Sequence, residues 1–257
     1  SLAMLFLDWA KRSESDDEAA KYIQKAEEAI SQGLRAVRVR DGLWIASAEI
    51  ANWLGDQPSR LSALERAVKE VPSSVVARYL LARQYRMTGH PDKAASTLQE
   101  IINTNLDEYR SVLEYALAIL EMGKGRKEAI AVLSLSTTYG LGDPRFIATY
   151  GGLLFLNEQF LDAQRIFQES IRREFVGPDM QTAFYKPVDL ATKEPLRVAG
   201  KVVDVHYRLS TIEKEGWPLL TCSSSKVGGV ILRNGMKVTV EIVFSAKGAT
   251  AIAPRIQ

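Results

Sequence analysis

The stretch DGLWIASAEIANWLGDQPSRLSALERAVKEVPSS, residues 41–74, runs directly into VVARYLLARQYRMTGHPDKAASTLQEIINTNLDE, residues 75–108. The two have equal length and the same punctuation. In the first, Trp44 comes early, Gly55-Asp56 marks a break, Leu64 and Ala67 follow, and Pro72 closes. In the second, Leu81-Ala82, Tyr85, Gly89, Ala94, Leu98 and Ile101 fall at the spacing of a helix, a glycine turn and a second helix. Apolar residues recur at i, i+3, i+4 and i+7, so each segment predicts an amphipathic helical hairpin. One hairpin cannot bury both of its faces, and stacking on its neighbours is the only route to a core.

The period continues outward. Residues 109–143 repeat it with Tyr115-Ala116, Ile119, Gly123, Ala129 and Leu133, after one inserted residue in the turn. A further copy begins near Pro144, with Tyr150-Gly151, Leu154, Ala163, Phe167 and Ser170. At the start, Phe6-Leu7, Ala10, Ala19, Ile23 and Ala26 suggest a degenerate first copy, with extra residues from Gln32 to Arg40. About five hairpins over residues 1–175 are expected. The small residues let backbones approach, while Trp44, Tyr85, Phe167 and the leucines fill the layers between helices.

This pattern resembles the tetratricopeptide repeat over about two thirds of the chain. The resemblance implies a gently superhelical array whose first helices form a concave groove for an extended protein or peptide segment. In that register the groove residues are Ile45, Glu49, Asn52 and Trp53; then Tyr79, Leu80, Arg83, Arg86 and Met87; then Leu113, Glu114, Leu117 and Glu121. The Lys and Asn set with which some members clamp the carboxylates of chaperone tails is missing. Arg83 and Arg86 are suited to an acidic partner or to plain solvation.

The helical period fails after Arg172, and residues 176–195 read as a linker or docking segment. From 196 to 257 the pattern is period two and β-branched: Val198 to Val205, Leu219 to Thr221, Val227 to Leu232, Val238 to Phe244 and Ala249 to Ile252. Turn signals between these runs predict a small antiparallel five-stranded β-barrel. The whole is therefore expected to be multidomain, α followed by β.

The ending LRNGMKVTVEIVFSAKGATAIAPRI and the opening AGKVVDV resemble a cold-shock or related oligonucleotide-binding (OB-fold) barrel. That resemblance implies RNA or single-stranded DNA as a second partner class. The residues that would serve are Lys201, His206, Tyr207, Arg208, Trp217, Lys226 and Lys237. The sequence departs from the family's aromatic platform, having EGWPLL and VGGVIL in its place. Charge favours the reading: nine Lys or Arg against four Asp or Glu leave residues 196–257 at +5, within a chain of net charge +2.

Catalytic signatures are missing. There is no phosphate loop and no nucleophile elbow, and His90 and His206 lie too far apart in sequence to suggest a triad or metal set. No catalytic residue, metal or cofactor is expected, and any enzymatic domain would lie outside this chain. The single Cys222 reads as a small buried thiol, which points to a reducing, cytoplasmic setting. No run approaches the ~18 apolar residues of a membrane span. Ser1 ahead of Met4 reads as a cloning remnant, and the chain as a piece of something larger. Three roles follow: a scaffold or sensor that captures a protein segment, a nucleic-acid-binding regulator, or the recognition end of a larger bacterial signalling or defence ATPase.

Overall fold

The computed structural model describes residues 1–37, 40–102, 104–105, 107–172, 185–189, 192–222, 224, 226–227 and 230–257. Among them, eleven helices precede seven strands. They form two compact units, Ser1–Ala118 and Ile119–Gln257. The first holds α1 (Leu2–Arg12), α2 (Asp16–Ala36), α3 (Asp41–Trp53), α4 (Gln57–Glu70), α5 (Val75–Met87), α6 (Pro91–Leu98) and most of α7 (Tyr109–Glu121). The second holds the end of α7, then α8 (Arg126–Ser134), α9 (Thr137–Gly140), α10 (Pro144–Leu156), α11 (Phe160–Arg172) and all the strands. Helices α1 and α2, α3 and α4, α5 and α6, and α10 and α11 pack as hairpins. Side-chain caps fix several starts: Ser15 accepts from the Glu18 N–H, Asp56 from Ser59, Ser74 from Ala77 and Asp143 from Arg145.

The repeat is written into the backbone. Gly55, Gly89 and Gly123 take φ of +75°, +81° and +81°, and Glu158 takes +62° at the matching place after α10. At each, the following N–H donates five residues back: Asp56 to Ala51, His90 to Tyr85, Lys124 to Ile119 and Gln159 to Leu154. This closure ends each first helix with a left-handed residue and satisfies its last carbonyls. Small buried residues recur in the same phase, Ala48, Ala82, Ala116 and Gly151 on first helices and Ala94, Ala129 and Ala163 on second ones. At Gly151 a Cβ would stand 2.5 Å from the Phe167 ring, too close for any side chain without a shift.

The strands are β1 (Arg197–His206), β2 (Leu209–Glu213), β3 (Leu220–Cys222), β4 (Lys226–Val227), β5 (Val230–Ile231), β6 (Lys237–Ser245) and β7 (Gly248–Ile256). Five of them close a barrel in the order β1-β2-β3-β7-β6, while β4 and β5 form a separate two-stranded sheet. Every barrel pairing is antiparallel except β3 with β7, where Cys222 lies opposite Ala251. The barrel is filled by Val202, Ile212, Leu220, Cys222, Val238, Val240, Ile242 and Ala251.

The number of strands agrees with expectation, but two assignments change. The described residues of the 227–232 run do not supply a barrel strand; Val227 pairs with Val230 in the β4–β5 sheet, where Val230 and Ile231 face solvent. The missing member is β2, whose Leu-Ser-Thr-Ile-Glu run has little apolar signal. It is held by its ladder to β1 across a two-residue turn in which Tyr207 takes φ +55°, a task usually given to Asn or Gly.

Glu158 has a Cβ where the other three hairpins have glycine. Glu158→Gly is expected to raise unfolding stability by up to about 1 kcal/mol, read by urea denaturation, because it removes left-handed strain. Gly152→Ala is expected to move stability the other way, since its Cβ would lie 2.7 Å from the Phe244 ring.

Candidate functional site

The first unit carries nearly all of the face assigned from the repeat. On α3, Ile45 and Glu49 are half-buried and Asn52 and Trp53 exposed; on α5, Tyr79, Leu80, Arg83 and Arg86 are half-buried and Met87 exposed. On α7, Leu113 and Glu114 are buried and Leu117 half-buried. Glu121, at the end of α7, belongs to the second unit and is exposed. Leu80 packs on the core of Ala48, Ala63, Leu64 and Leu81. Arg86 donates from Nε to Glu114 at 2.8 Å and ties α5 to α7, so its charge is already matched within the fold. Trp53 and Met87 occupy the same phase of successive repeats and are 40% and 61% exposed.

A residue that the sequence reading passed over sits beneath this face. Arg60 of α4 occupies the phase of Ala94, Ala129 and Ala163, yet only 7% of it is exposed. Its Nη1 donates to Asn52 Oδ1 at 2.8 Å, and its Nε has no partner among the described residues. Burial holds its pKa below that of an ordinary arginine; Glu49 works against this shift and the like charge of Arg83 adds to it. Asn52, Glu49 and Arg83 all belong to the assigned face, so the guanidinium ties α4 to α3 and lies within electrostatic reach of Arg83 on α5. A second buried polar link joins α4 to α5: the fully buried Gln84 donates from Nε2 to Gln57 Oε1 at 2.8 Å. The sequence signal was present: an Arg in a column that holds Ala in the other copies.

In the second unit the barrel meets α10 and α11 through aromatic rings. Trp217, between β2 and β3, lies edge-on to Phe155 at 5.2 Å and to Phe160 at 6.4 Å. Phe244 of β6 is fully buried, 5.5 Å from Phe155 and stacked on Tyr185 at 6.1 Å. Tyr185 pairs with Phe244 through two backbone hydrogen bonds, and burial pushes its hydroxyl pKa up to about 12. The turn into β7 lies beside α11, with the Gly248 position 3.9 Å from the Phe167 ring.

The residues assigned to nucleic acid therefore separate. His206, Tyr207 and Arg208 cluster at the β1–β2 turn, all exposed, Tyr207 to 91%. Lys201 and Lys237 are partners across β1 and β6 and share an open cleft with Lys214, Glu213 and Glu215. Trp217 is half-buried in the aromatic cluster, with Lys214 Nζ 4.2 Å from its ring centroid. Lys226 lies in β4, and its side chain is outside the described residues. Cys222 is buried. Among the described residues no group of three His, Cys, Asp or Glu is placed to hold a metal, and no helix is long and apolar enough to cross a membrane.

No protein-family model matches the chain, and no curated protein matches it. Solved structures do. The fold is similar to that of MamA, at 18% identity and a TM-score of 0.50 over 63% of this chain and 95% of that one. It is also similar to pilF of Pseudomonas aeruginosa, at 12% identity and a TM-score of 0.56 over 68% and 76%. Both are tetratricopeptide-repeat proteins. The chain is thus a run of tetratricopeptide-like helical hairpins followed by a closed five-stranded barrel.

The Arg86–Glu114 pair has side chains only 17% and 2% exposed. Glu114→Ala alone is expected to cost about 3 kcal/mol by removing a buried carboxylate that balances a largely covered guanidinium. The double change Arg86→Met with Glu114→Leu should cost clearly less in the same chemical denaturation. Equal losses would show that the pair acts only through packing.

Proposed function

We propose that the chain is a non-enzymatic interaction scaffold or sensor module. In this reading the face of α3, α5 and α7 receives an extended segment of a partner protein, and the barrel is an accessory unit. The functional division is helical hairpins to residue 175, a connecting segment over 176–195 and the barrel from 196. The observation that carries the reading is the pair Trp53 and Met87. Two large apolar side chains stay in water at the same phase of consecutive repeats, beside the polar set Glu49, Asn52 and Arg83. A core has no use for them there, whereas a bound segment would cover them. Trp53→Ser with Met87→Ser is expected to abolish retention of cross-linked partners and leave the circular dichroism spectrum unchanged. Unchanged retention would place the partner surface elsewhere.

A second reading, nucleic-acid binding by the barrel, draws support from its strand order and its exposed β1–β2 turn. One parallel closure in an otherwise antiparallel five-stranded barrel suits the oligonucleotide-binding type, whose ligands meet the first hairpin loop. Tyr207 supplies one stackable ring and Arg208, Lys201 and Lys237 supply charge. Binding of a labelled thirty-nucleotide oligo-dT to the full chain should then be weak and fall steeply between ~50 and ~150 mM salt. Arg208→Glu and Lys237→Glu should flatten that slope. No binding at the lower salt would remove nucleic acid as a partner.

A further inference from the structure

We propose that Arg60 and Arg83 form a carboxylate-reading position on the α3–α5 face, so that the captured segment carries an aspartate or glutamate there. The inference rests on the reading of this face as a binding surface and names the chemistry of its ligand. Its starting point is an anomaly. At the crossing of a first and a second helix the other hairpins place alanine, and alanine would serve α4 as well. A buried guanidinium there loses hydration, and a neutral amide such as Asn52 returns only part of it. Fold stability alone does not favour that choice.

Charge bookkeeping around Arg60 gives the ligand its sign. Arg60 lies within electrostatic reach of Glu49 and Arg83, which share one phase of α3 and α5, so one negative group stands against two positive ones. Arg83 itself makes no hydrogen bond or ion pair among the described residues, unlike Arg86, which is matched by Glu114. The surplus is one positive charge at a half-buried position over the buried Arg60, where a Coulomb interaction is stronger than at a fully open surface. Arg60 Nε adds an unsatisfied buried donor. A carboxylate laid against Arg83 would neutralise the surplus and receive charge-assisted hydrogen bonds from guanidinium donors. Trp53, next to Asn52 in sequence, would cover the apolar stem of the same segment.

The test uses the full chain and labelled heptapeptide mixtures, randomised except for a central Glu, Gln or phosphoserine. Wild type should prefer the Glu mixture to the Gln mixture by about tenfold or more, the scale of one charge-assisted contact. Arg83→Gln should bring the ratio close to one. Arg60→Ala, which restores the residue the other repeats carry, should also lower the ratio while leaving the thermal midpoint equal or higher. A purely structural Arg60 would give the reverse, a lower midpoint with the ratio intact, and would overturn the proposal. Equal binding of the Glu and Gln mixtures by wild type, sensitive to Trp53→Ser, would leave the face as a binding surface and refute the carboxylate. Preference for phosphoserine over Glu would assign the position to phosphate instead. Failure to bind any mixture would remove both the face and its carboxylate position.

Discussion

At the end of α3, α5, α7 and α10 the chain turns back through a single left-handed residue, with the same five-residue backbone closure each time. Everything that makes this a repeat depends on that closure. It satisfies carbonyls that would otherwise face water, and it aims the next helix back along the one just finished. Once the directions are set, close approach requires small side chains at the crossing, which is where Ala82 and Ala94 or Gly151 and Ala163 lie. Arg60 breaks that rule in one hairpin. The crossing of α3 and α4 is therefore the place where packing alone did not choose the residue, and it lies under the polar part of the exposed face.

The second constraint is coverage. A solenoid's terminal hairpin has a face that no further repeat buries. In the second unit, α10 is apolar all round, from Phe146 to Leu156 entirely buried, and β6 of the barrel packs against it. Two adjacent glycines inside a helix cost about 1 kcal/mol each relative to alanine. Here Gly151 admits Phe167 of α11, and Gly152 admits Phe244 of the barrel with Tyr185 beside it. Burial of such rings offsets the glycine cost several times over. The barrel thus does for α10 what another hairpin would do.

Much of this was legible in the sequence, for reasons that differ by element. The hairpins could be read because glycine and alanine recur at fixed phase, and only a narrow geometry asks for those residue types there. Glu158 could not be recognised as a left-handed residue, since nothing about glutamate signals positive φ. Strand β2 was hidden because its ladder is set by the β1–β2 turn and not by a run of β-branched residues. Arg60 was visible but unweighted, because its meaning depends on burial. The aromatic residues show the limit most clearly: sequence supplies Trp217 and Phe244, while their use depends on which helix the barrel meets.

That use also decides what Trp217 can do. Its ring makes edge contacts with Phe155 and Phe160, each worth about 0.5–1.5 kcal/mol beyond the area buried. Lys214 over its face adds about 0.5–1 kcal/mol. A nucleobase stacked on the same ring would return about 1–3 kcal/mol. Drawing Trp217 out of the cluster to meet a base would therefore spend about as much as it gained, before counting the apolar area newly exposed on Phe155. Phe244 is locked still more firmly, by two backbone hydrogen bonds to Tyr185 and by the notch at Gly152. Of the described rings assigned to nucleic acid, His206 and Tyr207, at the far more open β1–β2 turn, are the ones that can meet a ligand without dismantling the contact between barrel and helix.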